Sequence, residues 1–243
     1  MIHPFDCLVE NTARRYRAAG RFTTGFVRGK LCHDPVYAYL ISNPAWIPRT
    51  GPLLDLGCGR GILMTLLSEA GKLALIPSME MPLCGIDLRP NDAAAAKLAL
   101  GREAEIAVAD VRAATLPACE AVVLLDLLLY LTAEEQEVLL RRVADTLPGG
   151  GVLIMREADA GAGLRFRATR TAERLCALAR GHFRQRYHYR SEAEWRSLLE
   201  TLGFSVETVP MSEGTPFANV LFIARLETSP SPKSCDTRTC TAP

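Results

Sequence analysis

A doubly wound α/β fold is predicted by three features of this chain. Seven short apolar runs punctuate it, at 53–56, 83–88, 104–110, 120–127, 151–157, 204–210 and 217–226. Longer stretches of helical periodicity alternate with most of these runs, the pattern of a parallel sheet covered on both faces. A glycine-rich turn, "GCGRG" at 57–61, joins the first run to the first helical stretch. The length of 243 residues, with 49% hydrophobic and 23% charged composition, is enough for one large domain with a full core. A mostly parallel, seven-stranded sheet is therefore expected over 51–226, preceded by a helical segment over 1–50 and followed by a tail over 227–243.

The elements can be justified in order. Residues 5–45 have helical spacing in patches and a basic, aromatic texture, "ARRYRAAGRF" and "GFVRGKLCHDPVYAYL", which suits helices that cover a site as a lid. "LLDL" at 53–56 reads as a strand and 61–70 as the helix after it. "LCGIDL" and "NDAAAAKLALG" repeat the pair, "AEIAVAD" adds a strand, and "EAVVLLDL" precedes a helix in "TAEEQEVLLRRVADTL". Thr132 can cap that helix with Glu135 three residues on, a capping box, and Pro148 with Gly149 to Gly151 ends it. "GVLIMRE" at 151–157 is the fifth strand; a loop and a cationic helix follow in "ADAGAGLRFRATRTAERLCALARG". A further helix at 191–202 stops at Gly203, and "FSVETVP" and "FANVLFIARL" close the sheet. The last stretch is rich in Pro, Ser and Thr and is expected to be disordered.

Composition excludes several classes. The 28 basic and 27 acidic residues give a net charge of +1, so no overall field draws the chain to nucleic acid or to an anionic membrane. The eight cysteines form no CxxC pair and no Cys/His set with zinc spacing, which suits reduced thiols in a cytoplasmic protein and no metal. The N-terminus lacks the apolar core of a signal peptide. The longest apolar run, "AVVLLDLLLYL" at 121–131, is shorter than a membrane span and contains Asp126.

The chemistry starts at Asp55, two residues before the first glycine. Gly57, Gly59 and Gly61 give GxGxG rather than the dinucleotide fingerprint GxGxxG. A carboxylate beside the loop repels a pyrophosphate and can meet an ammonium, which suits an amino-acid-bearing nucleoside. With these residues the chain resembles the class I S-adenosylmethionine-dependent methyltransferases, whose fold is Rossmann-like. "LLDLGCGRG" looks like the first motif of that family, "GIDL" like the second, "VADVR" like the third, and "LPGGGVLIMRE" like the segment leading into strand five. The resemblance implies S-adenosyl-L-methionine as cofactor, with Asp55, Gly57, Cys58, Gly59 and Gly61 at its methionine portion. It implies Asp87 on both ribose hydroxyls, Asp110 on the adenine amino group, and Leu88 and Val111 beside them. Asp126 interrupts an apolar strand, so it either faces the crevice at the strand end or meets a partner; the crevice is expected.

The acceptor side has departures. Relatives that methylate small molecules often carry a histidine after the fourth strand, where "DLLLYL" has Leu129, which excludes a histidine base there. The stretch between the first two strands is longer than the minimal pattern. Glu157, Tyr130 and His188 are the leading catalytic candidates, with Asp159, His182, Tyr16, Arg28, Lys30 and His33 behind them. Four further stretches, including "RFTTGFVRGKLCHDPVYAYL" and "YHYRSEAEWRSLLETLGF", resemble methyltransferases of aryl polyene and xanthomonadin-type pigment synthesis. That likeness implies a small-molecule or carrier-bound acyl substrate, aromatic or polyenoic. An NAD-dependent oxidoreductase and a noncatalytic partner protein of methyltransferase fold are the alternatives.

Overall fold

Leu53–Leu56 (β1) is buried along its whole length, and the sheet is laid out on both sides of it. The computed structural model describes residues 4–48, 51–77, 82–179 and 185–228. Leu83–Asp87 (β2), Ala104–Val108 (β3), Ala121–Leu125 (β4), Val152–Ala158 (β5), Phe204–Pro210 (β6) and Asn219–Leu226 (β7) complete a seven-stranded sheet of order β3-β2-β1-β4-β5-β7-β6. β1 pairs in parallel with β2 and β4, and only β7 runs antiparallel to its neighbours β5 and β6. The strand order reverses between β1 and β4, the place where an open sheet of this type leaves a crevice outside its carboxyl ends.

The period of two along each strand divides the core. Leu53, Leu83, Val123 and Ile154 face one layer, which contains Pro4–Arg15 (α1), Arg21–His33 (α2), Pro35–Ser42 (α3), Ile62–Lys72 (α4) and Pro90–Leu100 (α5). Leu54, Val122, Leu124 and Leu153 face the other, with Ala133–Thr146 (α6) and Glu192–Thr201 (α8). Leu164–Ala179 (α7) is the cationic helix expected after β5. The box at the start of α6 is formed: Thr132 N–H donates to Glu135 Oε2 at 2.8 Å and Glu135 N–H to Thr132 Oγ1 at 3.3 Å. Ser191 and Glu194 make a second box at α8. His182 and residues 229–243 of the expected tail lie outside the described residues. No helix among the described residues is long and apolar enough to cross a membrane.

The N-terminal segment does more than cover a site. Leu8 and Val9 of α1, Val27 and Leu31 of α2, and Tyr16 between them are buried in the same cluster as α4 and α5. The Tyr16 hydroxyl donates to the Arg60 carbonyl at 2.8 Å and lies 2.9 Å from Thr65 Oγ1, which joins this layer to the glycine turn and to α4. The helical segment expected over 1–50 thus packs on the core as a layer, and the Phe26 ring of α2 lies 4.6 Å from the Arg60 guanidinium of the glycine turn.

Tyr16→Phe keeps the ring and removes the hydroxyl, leaving a buried carbonyl without its donor. It should lower the unfolding free energy by about 1–2 kcal/mol, read from urea denaturation. An unchanged midpoint would detach the N-terminal layer from the site.

Candidate functional site

The turn after β1 is bonded both to β2 and within itself. Gly57 and Cys58 N–H both donate to the Ile86 carbonyl, at 2.8 and 3.1 Å, and Gly61 N–H donates to the Cys58 carbonyl at 2.8 Å. The three glycines have positive φ of 73°, 54° and 69°, but they are needed for different reasons. A Cβ on Gly57 would stand 2.9 Å from Leu127, and one on Gly61 would stand 3.0 Å from Ala96 and Leu100, so both are places of close packing. A Cβ on Gly59 would meet nothing nearer than Arg89 Nη2 at 3.9 Å. Gly59 alone borders open space, where a bound molecule can approach the backbone.

Asp87, buried at the end of β2, ties this turn in place: Oδ2 accepts from Gly59 N–H and Oδ1 from Arg89 N–H, both at 2.8 Å. Each oxygen keeps a further lone pair. Leu88 beside it is 62% exposed, an apolar side chain standing over the crevice edge. Asp55, at β1, is buried and receives no hydrogen bond from the described residues. Burial and the charge of Asp87 push its carboxyl up to about 7, while Lys30 acts in the opposite sense. A dry carboxyl with no donor beside a turn with an open backbone fits a cationic group of a ligand.

The remaining expected cofactor residues are partly committed to other contacts. Asp110 is engaged by Arg112, whose backbone N–H donates at 3.0 Å and whose Nη2 lies at 2.6 Å; these bonds hold its carboxyl below the usual range. Val111 is buried behind it. Asp126 does stand at the end of β4, in the left-handed region at φ 58°. Its carboxylate is turned into an ion pair with Arg156, whose Nε donates at 2.8 Å and whose Nη2 makes a second bond. Arg156 Nη1 also meets Asp34 at 2.5 Å. Arg156 is 2% exposed and outweighs the partial desolvation of Asp126, whose carboxyl stays below its ordinary value. Asp126 thus serves the frame of the crevice, and Arg156 is a residue that sequence reasoning missed. Its signal was a cation in the apolar run "LIMRE".

Glu157 is buried, not a surface residue, and its Oε1 accepts the Leu128 N–H at 2.7 Å. Burial and Asp126 raise its pKa well above that of an ordinary carboxyl. The turn it caps, Leu128–Tyr130, presents Tyr130 to Tyr187, ring centroids 5.6 Å apart. Tyr189 stands 6.1 Å from Tyr187 and edge-on to Phe166 at 5.0 Å, so rings from three segments make one aromatic wall. His188 lies between the two tyrosines in the chain; its N–H donates to the Leu129 carbonyl at 2.9 Å and its carbonyl accepts from Gln136 Nε2 at 3.1 Å. Those are main-chain roles.

Other candidates are placed elsewhere. Asp159 Oδ1 accepts from Gly161 and Glu192 N–H at 2.7 and 2.9 Å and orients α8. Arg28 pairs with Glu10 on an exposed surface, and the His33 ring is bonded to the Gly29 carbonyl. Tyr16 is consumed by packing.

A family model described as a methyltransferase domain matches residues 26–209. No curated relative matches the sequence. Magnesium protoporphyrin IX methyltransferase from Synechocystis PCC 6803, solved with bound SAH, is similar in fold, with a TM-score of 0.58 at 21% identity over 88% of this chain and 93% of that one. Human N-acetylserotonin methyltransferase, in complex with SAM, gives 0.59 at 18% identity over 89% and 57%. The pyocyanin biosynthetic protein PhzM gives 0.61 at 17% identity over 83% and 57%. The chain spans little more than half of the last two.

The raised Asp55 carboxyl has a consequence for stability. Its ordinary value is about 3.9, so between roughly pH 4 and 7 the folded chain holds a proton that the unfolded chain releases. Stability should therefore fall as pH rises through that window and then level off. Asp87, Lys30, Cys58 and Tyr37 are the titratable groups around it. Asp55→Asn should be the more stable protein at pH 8, by about 4 kcal/mol, and lose that advantage near pH 4, in urea denaturation at a series of pH values. Parallel pH profiles for the two proteins would refute the dry carboxyl.

Proposed function

The chain belongs to the methyltransferase-domain family, and on that premise we propose that it transfers the methyl group of S-adenosyl-L-methionine to a small-molecule acceptor. The observation that carries this reading is the pairing of Asp55 with Asp87 across a turn whose one open backbone position is Gly59. When bound, the cofactor supplies an electrophilic methyl group on a sulfonium. Asp55 is suited to its ammonium, and the free lone pairs of Asp87 to two ribose hydroxyls. Leu88, Val111 and Asp110 line the side on which an adenine would rest.

The acceptor reading rests on the other end of the crevice. Tyr130, Tyr187, Tyr189 and Phe166 offer flat apolar faces with hydroxyls at their rims, which suit an aromatic or conjugated acyl unit. Together with the sequence likeness, they support an acceptor of the aryl polyene or xanthomonadin type, free or carried as a thioester, in secondary metabolism. Burial favours the neutral form of Glu157, which suits a hydrogen-bond donor that positions such an acceptor better than a base. The protein's contribution is then orientation and exclusion of water rather than proton removal.

Two measurements test this. Mass spectrometry after incubation with labelled cofactor and a panel of aromatic acids and their carrier thioesters should find a labelled methyl product. Calorimetry should find binding of S-adenosylhomocysteine and none of NAD. Asp87→Ala should weaken that binding about 10- to 100-fold with the fold retained. Unchanged affinity in a folded variant would place the ribose elsewhere.

A further inference from the structure

We propose that α7 is a membrane-facing helix, which lays a row of leucines into the surface of an anionic bilayer and a row of arginines against its headgroup phosphates. Leu164, Leu175 and Leu178 are 78%, 61% and 50% exposed. A single exposed leucine is ordinary on a protein surface, whereas a contiguous apolar row marks a place of contact.

The side of α7 that faces the body is fixed by its contacts. Phe166 stands edge-on to Tyr189 with ring centroids 5.0 Å apart, Thr169 Oγ1 accepts from Ala218 N–H at 2.9 Å, and the Glu173 carbonyl accepts from the Tyr187 hydroxyl at 3.3 Å. At about 100° per residue these three share one side of the helix, and Leu164, Leu175 and Leu178 fall together on the opposite side. The leucines are strung along about 21 Å of the helix axis. Arg167, Arg170 and Arg174, at i, i+3 and i+7, make a second row on one flank of them. All three arginines are exposed and form no ion pair among the described residues. Glu173, the one acidic residue of α7, lies on the body side.

The two rows together select the occupant. The whole chain carries a net charge of +1, so the attraction belongs to α7 and not to the protein at large. A dissolved anion would satisfy the arginines and leave the leucines in water. An acidic protein would have to match both rows side chain by side chain. A fluid anionic bilayer meets both without such matching: leucines enter the acyl boundary while the long arginine side chains reach the phosphates above it. Phe166 also belongs to the aromatic wall, so the membrane side of α7 is one helix away from the acceptor end of the crevice. That last link rests on the acceptor reading above, under which an apolar aromatic or polyenoic acceptor passes from the bilayer to the wall; the membrane contact itself does not depend on it.

The test is co-sedimentation of the full chain, at low salt, with vesicles of equal parts phosphatidylglycerol and phosphatidylcholine and with vesicles of phosphatidylcholine alone. The protein should bind the anionic vesicles about tenfold or more tightly and release them as salt is raised. Two triple variants separate the rows, Arg167→Gln with Arg170→Gln and Arg174→Gln, and Leu164→Gln with Leu175→Gln and Leu178→Gln. Each should keep its circular dichroism and urea midpoint, because the side chains are exposed, and bind the anionic vesicles about 10- to 100-fold more weakly. Failure of the unmodified protein to bind anionic vesicles overturns the proposal, and its retention on polyglutamate beads in that case assigns the surface to an acidic protein instead. Equal binding to both kinds of vesicle, or undiminished binding by either folded variant, overturns it as well. The readout needs neither cofactor nor acceptor, so its failure is distinct from a failure of the methyl-transfer reading.

Discussion

Four carboxyl groups meet at the C-terminal edge of one sheet, Asp55 from β1, Asp87 from β2, Asp126 from β4 and Glu157 from β5, and all but the partly exposed Asp126 are buried. Bare anions cannot coexist at such spacing in a low dielectric. The site is the record of how each is compensated. Asp87 takes two backbone N–H groups. Asp126 takes Arg156. Glu157 has its pKa raised by burial and accepts one N–H. Asp55 holds a proton up to about pH 7 and has neither donor nor arginine among the described residues, so once ionised its compensation falls to a cation that arrives with the ligand.

The Arg156 solution also fixes the N-terminal helices. A guanidinium buried between Asp126 and Asp34 can satisfy both only if the junction of α2 and α3 sits against the ends of β4 and β5. Removing Arg156 would leave two carboxylates without their shared cation, a cost of roughly 3–5 kcal/mol for a buried pair broken on one side. The left-handed backbone at Asp126, uncommon for a residue with a side chain, is tolerated because it aims the carboxylate at Arg156. One ion-pair triad thus ties the junction of α2 and α3 to the ends of β4 and β5.

What could be read from the chain beforehand follows the range of each interaction. The apolar runs, the turn at 57–61 and the Thr132–Glu135 box are local patterns, and the strands lie within a few residues of where periodicity put them. The link of Asp110 to Arg112 is equally local, two residues apart, and escaped only because the resemblance had already assigned that carboxylate to a ligand. Arg156 is different: its partners are 30 and 122 residues away, and nothing near it in the chain announces them. Glu157 follows an apolar strand and so read as equally suited to a surface pair, until pairing with both β4 and β7 closed around it.

The two ends of the crevice differ in the same way. The cofactor end is built from turns directly after strands, so its chemistry travels with short motifs. The aromatic wall is assembled from Tyr130, from Phe166 on α7 and from the segment carrying Tyr187 and Tyr189. Gln136 holds two of these pieces together. It is 1% exposed on an otherwise amphipathic helix, and its Nε2 donates to the carbonyls of Leu128, Leu131 and His188, while Arg190 donates to its Oε1 at 2.9 Å. A glutamine at that spacing reads as a solvated side chain, yet here it satisfies carbonyls of two distant loops at once. Because the acceptor side depends on such remote contacts rather than on any run of residues, its specificity can change while the cofactor motifs stay intact, and a resemblance in those motifs identifies the reaction more closely than it identifies the substrate.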